Sequence, residues 1–293
     1  GDDRFVWNSG DGSDQIDGGT GTDTVEINGS TGADSVTVGN TDGVVEIAIG
    51  TAALSVDEVE ELVINTGDGN DTVTINSLSG TDIGNSTVTV NGGAGNDIIA
   101  ASLSGRRLVA DGGDGNDTLN GGFDMDVLNG GSGDDILDGG NGQDTLTGGS
   151  GLDSLTGGNN ADTFSFLSTS DGTFSESNGT INGLELMFDI VTDFVSGTDI
   201  VSITDSDFDL GSETIADGIN FEIIGTAYDG TNATSDRFGT GQGTLILDSD
   251  GRLISDTNGS AAGYTVIADF GGANALAGTD ISIVASQGQG GPA

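Results

Sequence analysis

The chain contains no cysteine, no histidine and no lysine, a single proline and only 5% aromatic residues. Without Cys there is no disulfide framework and no thiolate metal site. Without His the usual general base, nucleophile activator and zinc ligand are all missing. Without Lys, Schiff-base chemistry is excluded. Carboxylates, hydroxyls and two Tyr remain, so an enzyme built from this stretch would have to be carboxylate-driven, as glycosidases are. Basic side chains number five against 48 acidic ones, a net charge of −43. A phosphate backbone needs a basic face, so nucleic acid is excluded as a partner and an anionic membrane is disfavoured. No run approaches the roughly 18 apolar residues of a transmembrane helix, and no N-terminal signal peptide is visible.

Such an imbalance ordinarily signals disorder through self-repulsion. Here the hydrophobic content is 33% and the acids recur at fixed spacings. These two facts describe a chain that is unstable alone and folds once divalent cations neutralise it.

What the chain has in abundance is glycine, 55 residues, in a strict arrangement. From Gly112 to Ser165 six nonapeptides follow without a gap: GGDGNDTLN, GGFDMDVLN, GGSGDDILD, GGNGQDTLT, GGSGLDSLT and GGNNADTFS. The template is G-G-x-G-x-D-x-U-x with U large and apolar, the pattern of a calcium-binding parallel β-helix. Glycines allow positive φ and bring carbonyl oxygens close to an ion. Asp supplies the hard anionic oxygen that Ca²⁺ prefers. The x-U-x end is a short strand whose apolar side chain enters a thin core. Looser copies precede this block at 9–17, 18–26, 29–37, 66–74 and 92–100, interleaved with strand-like stretches at 44–49, 61–65 and 87–91. The segment 55–61 reads at most as one helical turn, too short to define a helix. Gly1 to Val6 reads as positions four to nine of the nonapeptide, which leads us to expect a C-terminal fragment beginning inside a repeat.

Two nonapeptides make an 18-residue rung, so alternate repeats stack on one edge, with strands about 4.8 Å apart. Parity puts Asp97, Asp117, Asp135 and Asp153 on one edge and Asp126, Asp144 and Asp162 on the other. Asp97 joins its edge if 101–111 forms a half-rung. The candidate calcium ligands are these seven residues with Asp14, Asp23, Asp71 and Asp114. The turn glycines Gly112, Gly121, Gly130, Gly133, Gly139, Gly142, Gly148 and Gly151 complete the set. Ser30 and a two-residue insertion, Ile27 and Asn28, put the turn beginning at Gly29 in doubt. Two readings stand for Arg106 and Arg107: a cation replacing calcium beside Asp124 or Asp126, or two solvated arginines. Asp205 to Asp209 mimics the start of an EF-hand, but Leu210 replaces its turn glycine. Asp248 to Gly251 reads as a hairpin turn within 244–256. Trp7, Phe164 and Phe166 read as core.

The nonapeptide block resembles the RTX family of Gram-negative secreted proteins. The passages Asp162-Thr163-Phe164-Ser165-Phe166 and Asp189 to Ile200 resemble the region after the roll in serralysin-type proteases and epimerase-like proteins. The resemblance implies an all-β fold, a right-handed parallel β-roll or β-helix with a β-rich C-terminal cap. It implies several Ca²⁺ ions in the turns, export through a type I secretion machinery, and no catalytic residues in this stretch. The expected divisions are a degenerate, wider-runged helix over 1–111, a regular roll over 112–165, a cap or secretion region over 166–285 and a tail over 286–293. A solenoid end exposes unpaired strand edges, which is the reason to expect a cap. The expected role is a non-enzymatic, secreted, calcium-folded module of a surface-layer, filament or adhesin protein, open to self-assembly or to cell-surface polysaccharide. An accessory domain of a secreted enzyme and a glycan-binding module are the alternatives.

Overall fold

In the computed structural model, residues 1–83, 87–101 and 106–166 are described, together with the backbone of eight strands beyond them. Where apolar and polar residues alternate between glycine-rich turns, the chain forms short strands. In order they are β1 (Arg4–Asn8), β2 (Gln15–Asp17), β3 (Thr24–Asn28), β4 (Ser35–Thr41), β5 (Val44–Ile49), β6 (Ala52–Asp57), β7 (Glu61–Asp68), β8 (Thr72–Ile75) and β9 (Val88–Ala94). There follow β10 (Ile98–Ala100), β11 (Leu108–Asp114), β12 (Thr118–Gly122), β13 (Val127–Ser132), β14 (Ile136–Asn141), β15 (Thr145–Ser150), β16 (Ser154–Asn159) and β17 (Thr163–Phe166). The last are β18 (Phe174–Ser175), β19 (Asp189–Val191), β20 (Ile200–Thr204), β21 (Asn220–Ile223), β22 (Thr244–Leu247), β23 (Arg252–Asp256), β24 (Tyr264–Asp269) and β25 (Ile281–Val284). No helix occurs among the described residues. The segment 55–61, which could have held a helical turn, is instead the end of β6, a bend and the start of β7.

The chain forms two compact units, residues 1–147 with 156–162, and residues 148–155 with 163–293. In the first unit one sheet runs β1-β3-β7-β9-β11-β13 and the other β2-β6-β5-β4-β8-β10-β12-β14. Successive coils pair in parallel, residue for residue, as in Leu119 with Leu137 and Ala110 with Leu128. That is the architecture of a parallel β-roll. The exception is β4-β5-β6, an antiparallel meander that separates β2 from β4.

Because the strands alternate, each sheet sends apolar side chains inward in columns. Trp7, Ile27, Ile64, Val90, Ala110 and Leu128 stack on one sheet. Val36, Val73, Ile99, Leu119 and Leu137 stack on the other. All are buried. The core is thin, with two buried apolar side chains per strand in the earlier coils (Val25 and Ile27, Leu62 and Ile64) and one in the nonapeptide block (Leu119, Leu128, Leu137), and hydrophobic burial alone gives it little margin.

In the second unit β17 pairs in parallel with β20 and β20 with β25, while β16 pairs with β19 and β19 with β24. Residues 190–203 and 266–283 share a D-F…G-T-D-I core, and these two passages pair with each other, β19 with β24 and β20 with β25. The 244–256 hairpin forms, with β22 antiparallel to β23 and β23 to β24. The acidic loop 205–209, the turn 248–251, Arg237 and the tail 286–293 lie outside the described residues.

Candidate metal centres

The turns between strands bring the repeat aspartates into two columns. On one edge the Asp34 N–H donates to Asp71 Oδ1, Asp71 N–H to Asp97 Oδ1, Asp97 N–H to Asp117 Oδ1 and Asp117 N–H to Asp135 Oδ1, each at 2.7 Å. On the other, Asp126 N–H donates to Asp144 Oδ1 at 2.8 Å and Asp144 N–H to Asp162 Oδ1 at 2.9 Å. Parity of the nonapeptides gives this division, and Asp97 joins the first column through a 20-residue step.

One carboxylate oxygen is thereby spent on the fold, and the other is left for something else. Asp117, Asp126 and Asp144 are each 1% exposed. The Oδ2 atoms of Asp23, Asp71, Asp97, Asp117, Asp126 and Asp144 are buried without a hydrogen-bond partner. All but Asp71, whose turn has Thr66 in that place, face the first glycine of their own turn. A Cβ on Gly139 would lie 2.6 Å from Asp144 Oδ2 and 2.7 Å from the carbonyl oxygen of Gly157, one coil on. Gly112 has the same relation to Asp117 Oδ2 and the Gly130 carbonyl, and Gly121 to Asp126 Oδ2 and the Gly139 carbonyl. A carboxylate oxygen and a backbone carbonyl converge on a space that only glycine leaves open. Among the described residues no three acidic side chains gather around one point, so backbone carbonyls such as that of Gly157 would have to supply the remaining oxygens. Hard oxygen donors of this kind suit Ca²⁺. The orphaned buried oxygens and the glycine cradles fit that ion.

Burial also leaves a mark on acidity. Desolvation raises the Asp126 carboxyl to about 7, opposed by the Leu108 N–H and, more weakly, by the Arg107 charge. It raises Asp97 to about 6, opposed by the Asp71 N–H and reinforced by the charges of Asp117 and Asp71. Asp117 and Asp144 shift upward for the same first reason. These carboxylates are poorly accommodated as anions until a cation joins them.

Other sequence candidates fall differently. Asp14 is exposed and stands in register with Leu54, because the β4-β5-β6 meander keeps its strand away from the column. Asp114 is exposed, and its carbonyl accepts the Gly95 N–H. Asp34 stands in the column, yet its Oδ2 accepts the Ser30 N–H at 2.6 Å and the Ser30 hydroxyl at 3.0 Å. Ser30 thus occupies the oxygen that elsewhere has no partner, which accounts for the doubt over the Gly29 turn. Below Asp126 the column position is Leu108. Arg107 beside it is exposed, and Arg106 is half-buried with Nη2 3.5 Å from the Leu78 carbonyl.

Sequence reasoning missed a second ladder. Asn96 N–H donates to Asn70 Oδ1, Asn116 N–H to Asn96 Oδ1 and Asp134 N–H to Asn116 Oδ1, at 3.0–3.1 Å. It runs opposite to the aspartate ladder, so each turn on that edge is tied to its neighbours in both directions. The recurring Asn-Asp at 70–71, 96–97 and 116–117 was its signal.

The geometry defines a parallel β-roll with cation-binding turns. The family model of the RTX calcium-binding nonapeptide repeat matches in four copies, over residues 8–25, 84–103, 111–146 and 138–171. The chain carries RTX repeats, and such repeats bind several Ca²⁺ ions and are typical of secreted proteins. No curated protein matches the chain.

Proposed function

We propose that this stretch is an extracellular structural module, folded by calcium after secretion, of a surface-layer, filament or adhesin protein. The proposed ligands are Asp23, Asp71, Asp97, Asp117, Asp126, Asp135, Asp144, Asp153 and Asp162, with the carbonyls of the turn glycines. The observation that carries the reading is the buried Oδ2 atoms of Asp23, Asp71, Asp97, Asp117, Asp126 and Asp144, which have no hydrogen-bond partner. Stacked anions around a thin core oppose folding, and an ion bound only by the folded state reverses that by mass action. In a calcium-poor cytosol the acidic chain stays unfolded and fit for export; outside, ions join the turns. Regular stacking and the absence of His, Lys and Cys support a structural role over a catalytic one.

Circular dichroism tests the folding half of this reading. The calcium-free chain should give a coil spectrum, converting to a β spectrum at roughly 10⁻⁴ to 10⁻³ M Ca²⁺, the range of extracellular modules. A chain equally folded in excess chelator would refute it. Electron microscopy with calcium tests the surface role. Ordered assemblies support it, and a strictly monomeric product points to the accessory-domain alternative.

A further inference from the structure

The turn from Gly18 to Asp23 is a nonapeptide turn, but its neighbour in the next coil is not. There the chain passes from β6 to β7 through Asp57-Glu58-Val59-Glu60, with no glycine. These residues lie outside all four matched repeats. Even so, the short turn reproduces the parts of a regular one. Glu60 Oε2 accepts the Asp23 N–H at 2.8 Å, the bond that Asp117 Oδ1 makes to Asp97. The Glu58 carbonyl crowds the space beside Gly18, where a Cβ would also lie 2.9 Å from Asp23 Oδ2. That is the relation of the Gly130 carbonyl to Gly112 and Asp117. Glu58 reaches this place with φ of 50°, a conformation uncommon outside glycine. Val59, 2% exposed, anchors the turn in the core.

Asp23 is 0% exposed, and its Oδ2 is buried without a partner, while its Oδ1 takes the Asp3 N–H. The nearby basic side chain, Arg4, is committed to Glu26. We propose that Asp23 Oδ2, the Glu58 carbonyl and the Glu60 carboxylate hold one hard divalent cation, Ca²⁺. The site is built half from a nonapeptide and half from a turn the repeat pattern does not contain. Glutamate suits the role because the two-residue step from Glu58 to Glu60 replaces the five-residue step from Gly112 to Asp117, and the extra methylene extends its reach. The assignment rests on the calcium reading of Asp23 and adds Glu58 and Glu60 to it.

Calorimetric titration of the full chain with Ca²⁺ tests the site. Glu60→Gln keeps an acceptor for the Asp23 N–H and removes the charge. It should bind one ion fewer than the parent, or that ion at least tenfold more weakly, with an unchanged circular dichroism spectrum at saturating calcium. Glu61→Gln, the same charge change one residue on at an exposed position, should leave the ion count alone. Asp117→Asn provides the reference loss in a regular turn. Parental binding in Glu60→Gln with a loss in Asp117→Asn overturns this proposal alone. Parental binding in both overturns the calcium reading of the turns as well. Should Glu60→Gln fail to fold, Glu60→Asp decides: it keeps the charge with a shorter reach, and parental binding there overturns the proposal.

Discussion

The backbone N–H of Asp97 donates to Oδ1 of Asp117, 2.7 Å away and one coil further along the roll. The same carboxylate presents its second oxygen, buried and unpartnered, to the Gly112 turn. One side chain thus sets the stacking of coils and offers a charge to a cation, so folding and binding share an atom group. Variants that separate the two oxygens separate the two roles.

Asp117→Ala removes both. It strands the buried Asp97 N–H, at a cost of about 1–3 kcal/mol, and removes a ligand. Asp117→Asn keeps the acceptor and loses the charge. In titrations followed by circular dichroism, both variants should need more Ca²⁺ to fold and bind less of it, the alanine variant more severely. Equal midpoints for the two would show that the ladder bond contributes nothing.

Gly112→Ala tests the cradle without backbone strain, because Gly112 lies outside the positive-φ set while Gly113 has φ of 106°. The added methyl would sit against Asp117 Oδ2 and 2.6 Å from the Gly130 carbonyl. Calcium affinity should fall about tenfold or more, roughly 1.4 kcal/mol. Parental affinity in this variant would place the ion elsewhere.

The pH dependence of the calcium-free chain follows from the buried carboxyls. Asp97 and Asp126 have folded-state values of about 6 and about 7, above the ordinary 3.8. A raised folded value means that the folded state binds the proton more tightly. The resulting stabilisation is full below the unfolded value and is lost as pH rises through 6 to 7. Calcium-free protein should therefore show more β structure at pH 5 than at pH 8. With calcium present, protons compete for the ligands, so apparent affinity should fall over the same acidification. Far-UV spectra and titrations at the two pH values check both signs.

Leu119 stands between Ile99 and Leu137 in the inner column and is 1% exposed. Leu119→Ala should cost about 2–5 kcal/mol, read as a lower melting temperature at fixed calcium, while the number of bound ions at saturation stays the same. A reduced ion count would mean that core and turns do not act as separate layers.

The nonapeptide made most of the roll legible, because a period of nine with glycine, aspartate and one apolar residue admits few other folds. Its parity alone places Asp126 and Asp144 on one column and Asp97 and Asp117 on the other. Where the period breaks, legibility ends. Asp14 sits in a good nonapeptide, yet the meander of β4, β5 and β6 removes its stacking partner, a non-local event that no single repeat encodes. Glu60 sits in no repeat, yet the fold brings it to Asp23 across 37 residues. Ser30 departs from the template by one atom group, and only the position of Asp34 shows that its hydroxyl fills the cation's place. The sequence by itself determined the residue chemistry: oxygen donors, no sulfur or imidazole, and a charge that demands cations. The tertiary structure decided which oxygens are free, because that depends on which coil lies above which, and stacking is settled by register between strands far apart in the chain.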